Sequence, residues 1–118
     1  MSSPILRFAP SPNGHLHLGH AYSALFTWRA AKTLGGTALL RIEDIDRARC
    51  KPEFDAAVID DLKWLGLSWP EPLWRQSQRF GAYDSAARQL SRFLYPCSCT
   101  RTEIAERATA TDPDGNTI

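Results

Sequence analysis

Apolar residues gather in two short blocks near the N-terminus, Ile5 to Ala9 and Thr37 to Ile42, and each block is too short to be a helix. Both read as strands. Between them, Ala21 to Leu34 is alanine-rich and helical in pattern, with Gly35-Gly36 as its stop. Tyr22, Leu25, Phe26 and Trp28 make that helix apolar over much of its circumference, which predicts a mostly buried helix. A helix between two strands makes the strands parallel, so residues 5–42 predict a right-handed β-α-β unit with the second strand central. A ligand of such a unit sits at the carboxyl ends of its strands.

Farther along, Pro52 is placed to open a helix in which Phe54, Val58, Leu62 and Leu65 recur at near-helical spacing as far as Gly66. Trp69-Pro70-Glu71-Pro72 reads as a rigid connector. Phe80, Tyr83, Ala87, Leu90 and Leu94 mark another amphipathic helix, and Leu94 to Cys99 is turn-like. Thr100-Arg101-Thr102-Glu103 fits a capping box at the start of a short last helix. Ala108 to Ile118, with Asp112-Pro113-Asp114-Gly115-Asn116, carries turn chemistry and no apolar face.

Composition changes this picture little. A chain of 118 residues, 43% apolar and 23% charged, is one small domain or part of a larger one. Its formal net charge of +1, from 14 basic and 13 acidic residues, gives no bulk signal for nucleic acid. Eleven of those 14 bases are Arg, the residue suited to bidentate contact with carboxylate and phosphate. No apolar run reaches the length of a membrane span, and Met1-Ser2-Ser3-Pro4 lacks a basic n-region, so the expectation is a cytoplasmic protein without a membrane partner. Cys50, Cys97 and Cys99 are too few for a disulfide framework, which leaves metal binding or burial.

The candidate chemistry lies around the first turn. A Pro/Gly-rich loop leads from the first strand into a helix N-terminus, where free backbone N–H groups form a natural seat for phosphate. His17 and His20 lie one helical turn apart and can donate to phosphate oxygens; the alternative is a pair of surface or core histidines. His15 reads as a solvent-exposed side chain. Arg7, on an otherwise apolar strand, requires an anion, either a substrate carboxylate or an internal partner such as Glu43 or Asp44. Glu43 stands where the second strand ends. Asp44 and Asp46 are suited to capping the next turn, and Arg47 and Arg49 either reach a ligand or form a solvated cluster. Cys97-x-Cys99 has a spacing used in zinc sites, which need two further ligands.

His17-Leu18-Gly19-His20, preceded by Arg7-Phe8-Ala9-Pro10-Ser11-Pro12-Asn13-Gly14, resembles the His-x-Gly-His block of class I aminoacyl-tRNA synthetases in their glutamate and glutamine branch. The resemblance extends from Leu6 to Glu106. It implies an α/β fold: the N-terminal half of a Rossmann-like catalytic domain over residues 1–94, with residues 95–118 beginning an acceptor-binding insertion that carries Cys-x-Cys. It also implies a monomeric ligase that uses ATP with Mg²⁺ to form glutamyl-adenylate and passes the glutamyl group to tRNA. Arg7, Phe8, Ala9, Pro10 and Ser11 would hold L-glutamate and Glu43 its α-ammonium, while His17, Gly19 and His20 would serve ATP and catalysis. Cys97 and Cys99 would begin a Zn²⁺ site completed by ligands that do not follow in this sequence.

Arg41-Ile42-Glu43-Asp44-Ile45-Asp46, Leu73 to Arg79 and Tyr95-x-Cys97-x-Cys99-Thr100-Arg101 lean towards the shorter branch, which glutamylates the queuosine base of tRNA(Asp), over enzymes that charge tRNA(Glu). No Lys-Met-Ser-Lys-Ser-like loop is present, so the expectation is a piece of a longer polypeptide. A non-catalytic nucleotide- or RNA-binding module is the alternative from another class.

Overall fold

A computed structural model describes residues 3–108. In chain order it contains β1 (Ile5–Phe8), α1 (Leu18–Thr33), β2 (Thr37–Ile42), α2 (Pro52–Trp64), β3 (Trp74–Arg75), α3 (Phe80–Gln89) and α4 (Arg101–Arg107), with single 3₁₀ turns at Gln76–Gln78 and Ser91–Phe93. The chain divides after Tyr83 into two compact units.

The first unit is the expected parallel crossover. β1 pairs with β2 in parallel, Arg7 opposite Leu39 and Phe8 opposite Leu40. β3, which the sequence pattern did not announce, adds to the other side of β2 with Trp74 opposite Arg41 and Arg75 opposite Ile42. The sheet order β1-β2-β3 therefore makes β2 central. Phe8, Leu40 and Ile42 point to one face, where they meet Ala24 of α1 and Val58 and Leu62 of α2 in a single core. Alternation along the strands puts Arg7, Leu39 and Arg41 on the opposite face. Trp28 joins the helical layer to the connector by donating its indole N–H to the Ser68 carbonyl at 2.5 Å.

Each helix end has a physical cause. α2 opens on Pro52, carries Glu53 and Asp55 in its first turn and Lys63 in its last, and stops where Gly66 takes φ +76°. Gly36, between α1 and β2, lies so close to the entrance of β1 that a Cβ there would sit 2.2 Å from the Pro4 carbonyl oxygen. The Thr37 N–H donates to that same oxygen at 2.9 Å and starts the ladder.

For β1 and α1 three expectations need correction. α1 begins at Leu18, three residues before Ala21, because His17 caps it. That helix is not mostly buried: Ala24 and Ala31 are, while Tyr22 and Phe26 are 72% and 63% exposed and stack on each other outside the core. Ala24, Ala31 and Trp28 are the residues that meet the core, and Tyr22 and Phe26 lie outside it. β1 stops at Phe8, one residue short of Ala9, although the Glu43 N–H still reaches the Pro10 carbonyl at 2.9 Å.

In the second unit α4 forms with the expected capping box, Thr100 Oγ1 accepting from the Glu103 N–H at 3.2 Å and Glu103 Oε2 accepting from the Thr100 N–H at 2.7 Å. α3 ends at Gln89, not at Leu94. None of its residues is buried, and Leu90, Phe93 and Leu94 are exposed, so little burial among the described residues supports a further turn. The turn-rich tail expected after Ala108 lies outside the described residues.

Candidate active site

The loop after β1 delivers the chain to α1 in a conformation that spends both histidines on the helix end. His17 is the N-cap, with extended backbone (φ −126°, ψ 178°). Its Nδ1 accepts the Gly19 N–H at 3.1 Å, and His20 Nδ1 accepts the His17 N–H at 3.2 Å. This reciprocal arrangement satisfies two orphan donors, as a Ser/Glu box would, but with imidazoles. An imidazole that accepts at Nδ1 while neutral carries its proton on Nε2. Each ring thus presents an Nε2–H donor, and the ring centroids are 3.9 Å apart.

Gly19 fits the same device. A Cβ at this position would lie 3.0 Å from His17 Cε1 and 3.2 Å from its Nδ1, inside the capping contact. Burial, followed by the positive charge that His17 can carry, holds the His20 imidazole below its ordinary pKa. His15 is exposed as expected and meets the Phe54 ring edge-on at 5.1 Å.

Arg7 and Glu43 belong to the sheet. Arg7 is exposed, and among the described residues it has no ion-pair partner. Glu43 is instead paired with Arg41, whose buried Nε–H has no acceptor. Arg7, Leu39, Arg41, Glu71 and Trp74 line a cavity of about 320 Å³ on the face opposite the core, two guanidiniums and one carboxylate over an apolar floor. His17, Gly19 and His20 do not line this cavity; they stand at the N-terminus of α1, exposed or half-buried. Of the loop residues, Phe8 turns its side chain into the core against Trp28, Pro10 is buried, Ala9 is half-buried and Ser11 is exposed. The Phe8 side chain is therefore structural.

After β2 the four charged residues take different roles. Asp46 caps the next turn as expected, accepting from the Ala48 and Arg49 N–H groups and from Arg49 Nε at 2.7 Å. Asp44 does not; its carboxylate reaches Ser77, 33 residues away, accepting the backbone N–H at 2.9 Å and the hydroxyl at 2.5 Å. Burial pushes the Asp44 carboxyl up, but the Ser77 donors and the nearby Arg75 charge outweigh it and hold it below the usual carboxylate range. Arg47 lies over the Phe80 ring at 5.3 Å. Arg75 forms a two-pronged pair with Asp55, at 3.1 and 2.8 Å.

The sequence pattern missed Arg41 as partner of Glu43 and Ser77 as partner of Asp44. The first has a signal, since Arg41 alternates in phase with Leu39, opposite Arg7. The second has none, because β3 is only two residues long.

Cys97 and Cys99 are exposed free thiols. Among the described residues no group of three or more His, Cys, Asp or Glu side chains is placed to hold a metal ion. Two thiols are half of a structural zinc shell, so the described residues by themselves do not fit zinc.

The sequence profile of the catalytic domain of class I tRNA synthetases (E and Q) matches residues 5–115. The chain belongs to this family. The class I synthetase chain is 50% identical over 108 residues to the glutamyl-Q tRNA(Asp) synthetase of Rhodobacter capsulatus, covering 90% of this chain and 39% of that relative. It is also 50% identical over 103 residues to glutamate–tRNA ligase 2 of Acidiphilium cryptum, covering 86% of this chain and 23% of that one. Among solved structures, the glutamate tRNA ligase of Elizabethkingia meningosepticum, in complex with its amino acid, superposes with TM-score 0.72 at 31% identity over 99% of this chain and 25% of that one. The chain thus spans well under half the length of the relatives it matches, and its fold is the Rossmann-like one that the resemblance implied.

Proposed function

We propose that this chain supplies the glutamate- and ATP-binding part of an enzyme that activates L-glutamate and transfers it to the queuosine base of tRNA(Asp). The observation that carries the reading is what β1, β2 and α1 each leave available: a guanidinium without an ion-pair partner among the described residues, a carboxylate held by a neighbouring arginine, and a helix N-terminus bearing two Nε2–H donors.

An oxygen of the substrate α-carboxylate attacks the α-phosphorus of ATP. The bond from that phosphorus to the bridging oxygen breaks, and pyrophosphate leaves with the electron pair. A nucleophile on the nucleic acid then attacks the glutamyl carbonyl and releases AMP. In this reading Arg7 pairs with the side-chain carboxylate of glutamate, with the backbone of Phe8 and Ala9 and the Pro10–Ser11 loop closing around it. Glu43 keeps one oxygen on Arg41 and offers the other to the α-ammonium. His17 and His20 donate to phosphoryl oxygens at the positive end of α1, and Gly19 lets the His17 ring lie close; such preorganised donors serve charge that develops in the transition state. Mg²⁺ bound to ATP would supply charge neutralisation at the phosphates. Zn²⁺ belongs to the reading only where further ligands join Cys97 and Cys99.

The tRNA(Asp) choice is supported by the stretches Arg41 to Asp46, Leu73 to Arg79 and Tyr95 to Arg101 and by the similarity to the Rhodobacter protein. The equal identity to the Acidiphilium ligase favours tRNA(Glu) as a second reading. Charging assays with queuosine-containing tRNA(Asp), queuosine-free tRNA(Asp) and tRNA(Glu) test the two. Glutamyl transfer to the first alone supports our reading, transfer to tRNA(Glu) supports the second, and no glutamate-dependent pyrophosphate exchange leaves a non-catalytic module. No described helix is long and apolar enough to cross a membrane. We assign a cytoplasmic location and a monomer, to be checked by fractionation and light scattering.

A further inference from the structure

We propose that Asp44 is the positioning residue for Glu43: it pins the segment that follows β2 to the segment that follows β3, and thereby fixes where Glu43 presents its carboxylate. This rests on the role read for Glu43 above and extends it to a residue with no part in that reading.

Asp44 follows Glu43 directly, and its carboxylate is committed to one distant residue. Oδ1 accepts the Ser77 N–H at 2.9 Å and Oδ2 accepts the Ser77 hydroxyl at 2.5 Å. Two donors from one residue, one to each oxygen, hold the carboxylate in both position and orientation. Glu43 itself is tied on its other flank, its N–H donating to the Pro10 carbonyl at 2.9 Å where β1 ends. The backbone around Glu43 is therefore fastened to the exits of both neighbouring strands, and its side chain is steadied by Arg41.

A second clamp lies two residues away and supplies an internal control. Arg75 and Asp55 tie β3 to the first turn of α2 through two hydrogen bonds. Both clamps fasten the segment from Trp74 to Ser77, but only the Asp44 clamp adjoins Glu43. A structural role predicts like effects from loosening either. A positioning role predicts that only the Asp44 clamp reaches glutamate, because displacing a reacting group by about 1 Å can cost as much as about 100-fold.

The test is steady-state glutamate- and ATP-dependent pyrophosphate exchange in the protein as its gene encodes it, alongside thermal melting. We expect Asp44→Ala to raise the KM for glutamate about tenfold or more while the KM for ATP stays within about twofold. Ser77→Ala, which keeps the backbone donor, should shift it in the same direction but less, and Asp44→Asn, whose amide oxygen still accepts that donor, should recover most of the loss. Asp55→Asn should lower the melting temperature without separating the two KM values. An unchanged glutamate KM, or equal shifts in both KM values for Asp44→Ala and Asp55→Asn, would overturn the proposal; if Asp44→Ala does not fold, Ser77→Ala decides it. Absence of glutamate-dependent exchange in the unmodified protein would overturn the functional reading together with this one, whereas exchange with an unmoved glutamate KM removes this one alone.

Discussion

His17 and His20 cap one helix reciprocally: His17 Nδ1 takes the Gly19 N–H, and His20 Nδ1 takes the N–H of His17 itself. Protonating His20 at Nδ1 replaces that acceptor with a donor and puts positive charge at the positive end of α1. The folded-state pKa of His20 is lowered, first by burial and then by His17, so the unfolded chain binds more protons. Its contribution to stability is present above the ordinary histidine value of about 6.5 and is lost as pH falls below it through the lower folded-state value. Long-range nitrogen–proton correlations of the imidazoles should show the Nε2–H form of both rings at pH 8, and melts from pH 8 to 5 should lose stability most in the lower half of that range. His20→Ala should flatten that dependence and cost about 1 kcal/mol as a lost cap.

Gly19→Ala should disturb the same cap by pressing a methyl group on the His17 ring, 3.0 Å from Cε1. The ring has to turn, so the expected effect is a fall in kcat for pyrophosphate exchange with little change in the melting temperature. A stability loss as large as that of a core substitution would contradict this account.

Arg7→Ala should weaken glutamate binding far more than ATP binding. Arg7 lines the cavity on the open sheet face, which the histidines at α1 do not, and among the described residues it has no ion-pair partner. Calorimetric titration of each ligand separates the two affinities; equal losses would count against the assignment of Arg7 to the carboxylate.

Leu62→Ala should destabilise the first unit by about 2–5 kcal/mol, since Leu62 is fully buried against β2 and Val58. Gly36→Ala should cost about 1–3 kcal/mol through the contact with the Pro4 carbonyl, where backbone must move. Denaturant unfolding measures both.

Much of the first unit was legible in the residues because its determinants are local. Gly35-Gly36 and Pro52 set the helix ends, and the short apolar block Thr37–Ile42, separated from the first by a helix, reads as the central parallel strand. β3 was not legible: two residues have no periodicity, and pairing with Arg41 and Ile42 makes them a strand. The burial of α1 was misread because apolar composition does not say which side meets the sheet, and Ala24 and Ala31 meet it while Tyr22 and Phe26 do not.

The sequence by itself determined that Arg7 stands on the first parallel strand, His17 and His20 at the start of the crossover helix and Glu43 just past the second strand, because a short strand, a turn and a helix in that order leave the chain few other routes. Only the tertiary structure decided which charges remain free for a ligand. Asp44 with Ser77, Asp55 with Arg75 and Glu43 with Arg41 are pairings made across the fold, and a carboxylate already satisfied by its own chain is chemically a different group from one that is not.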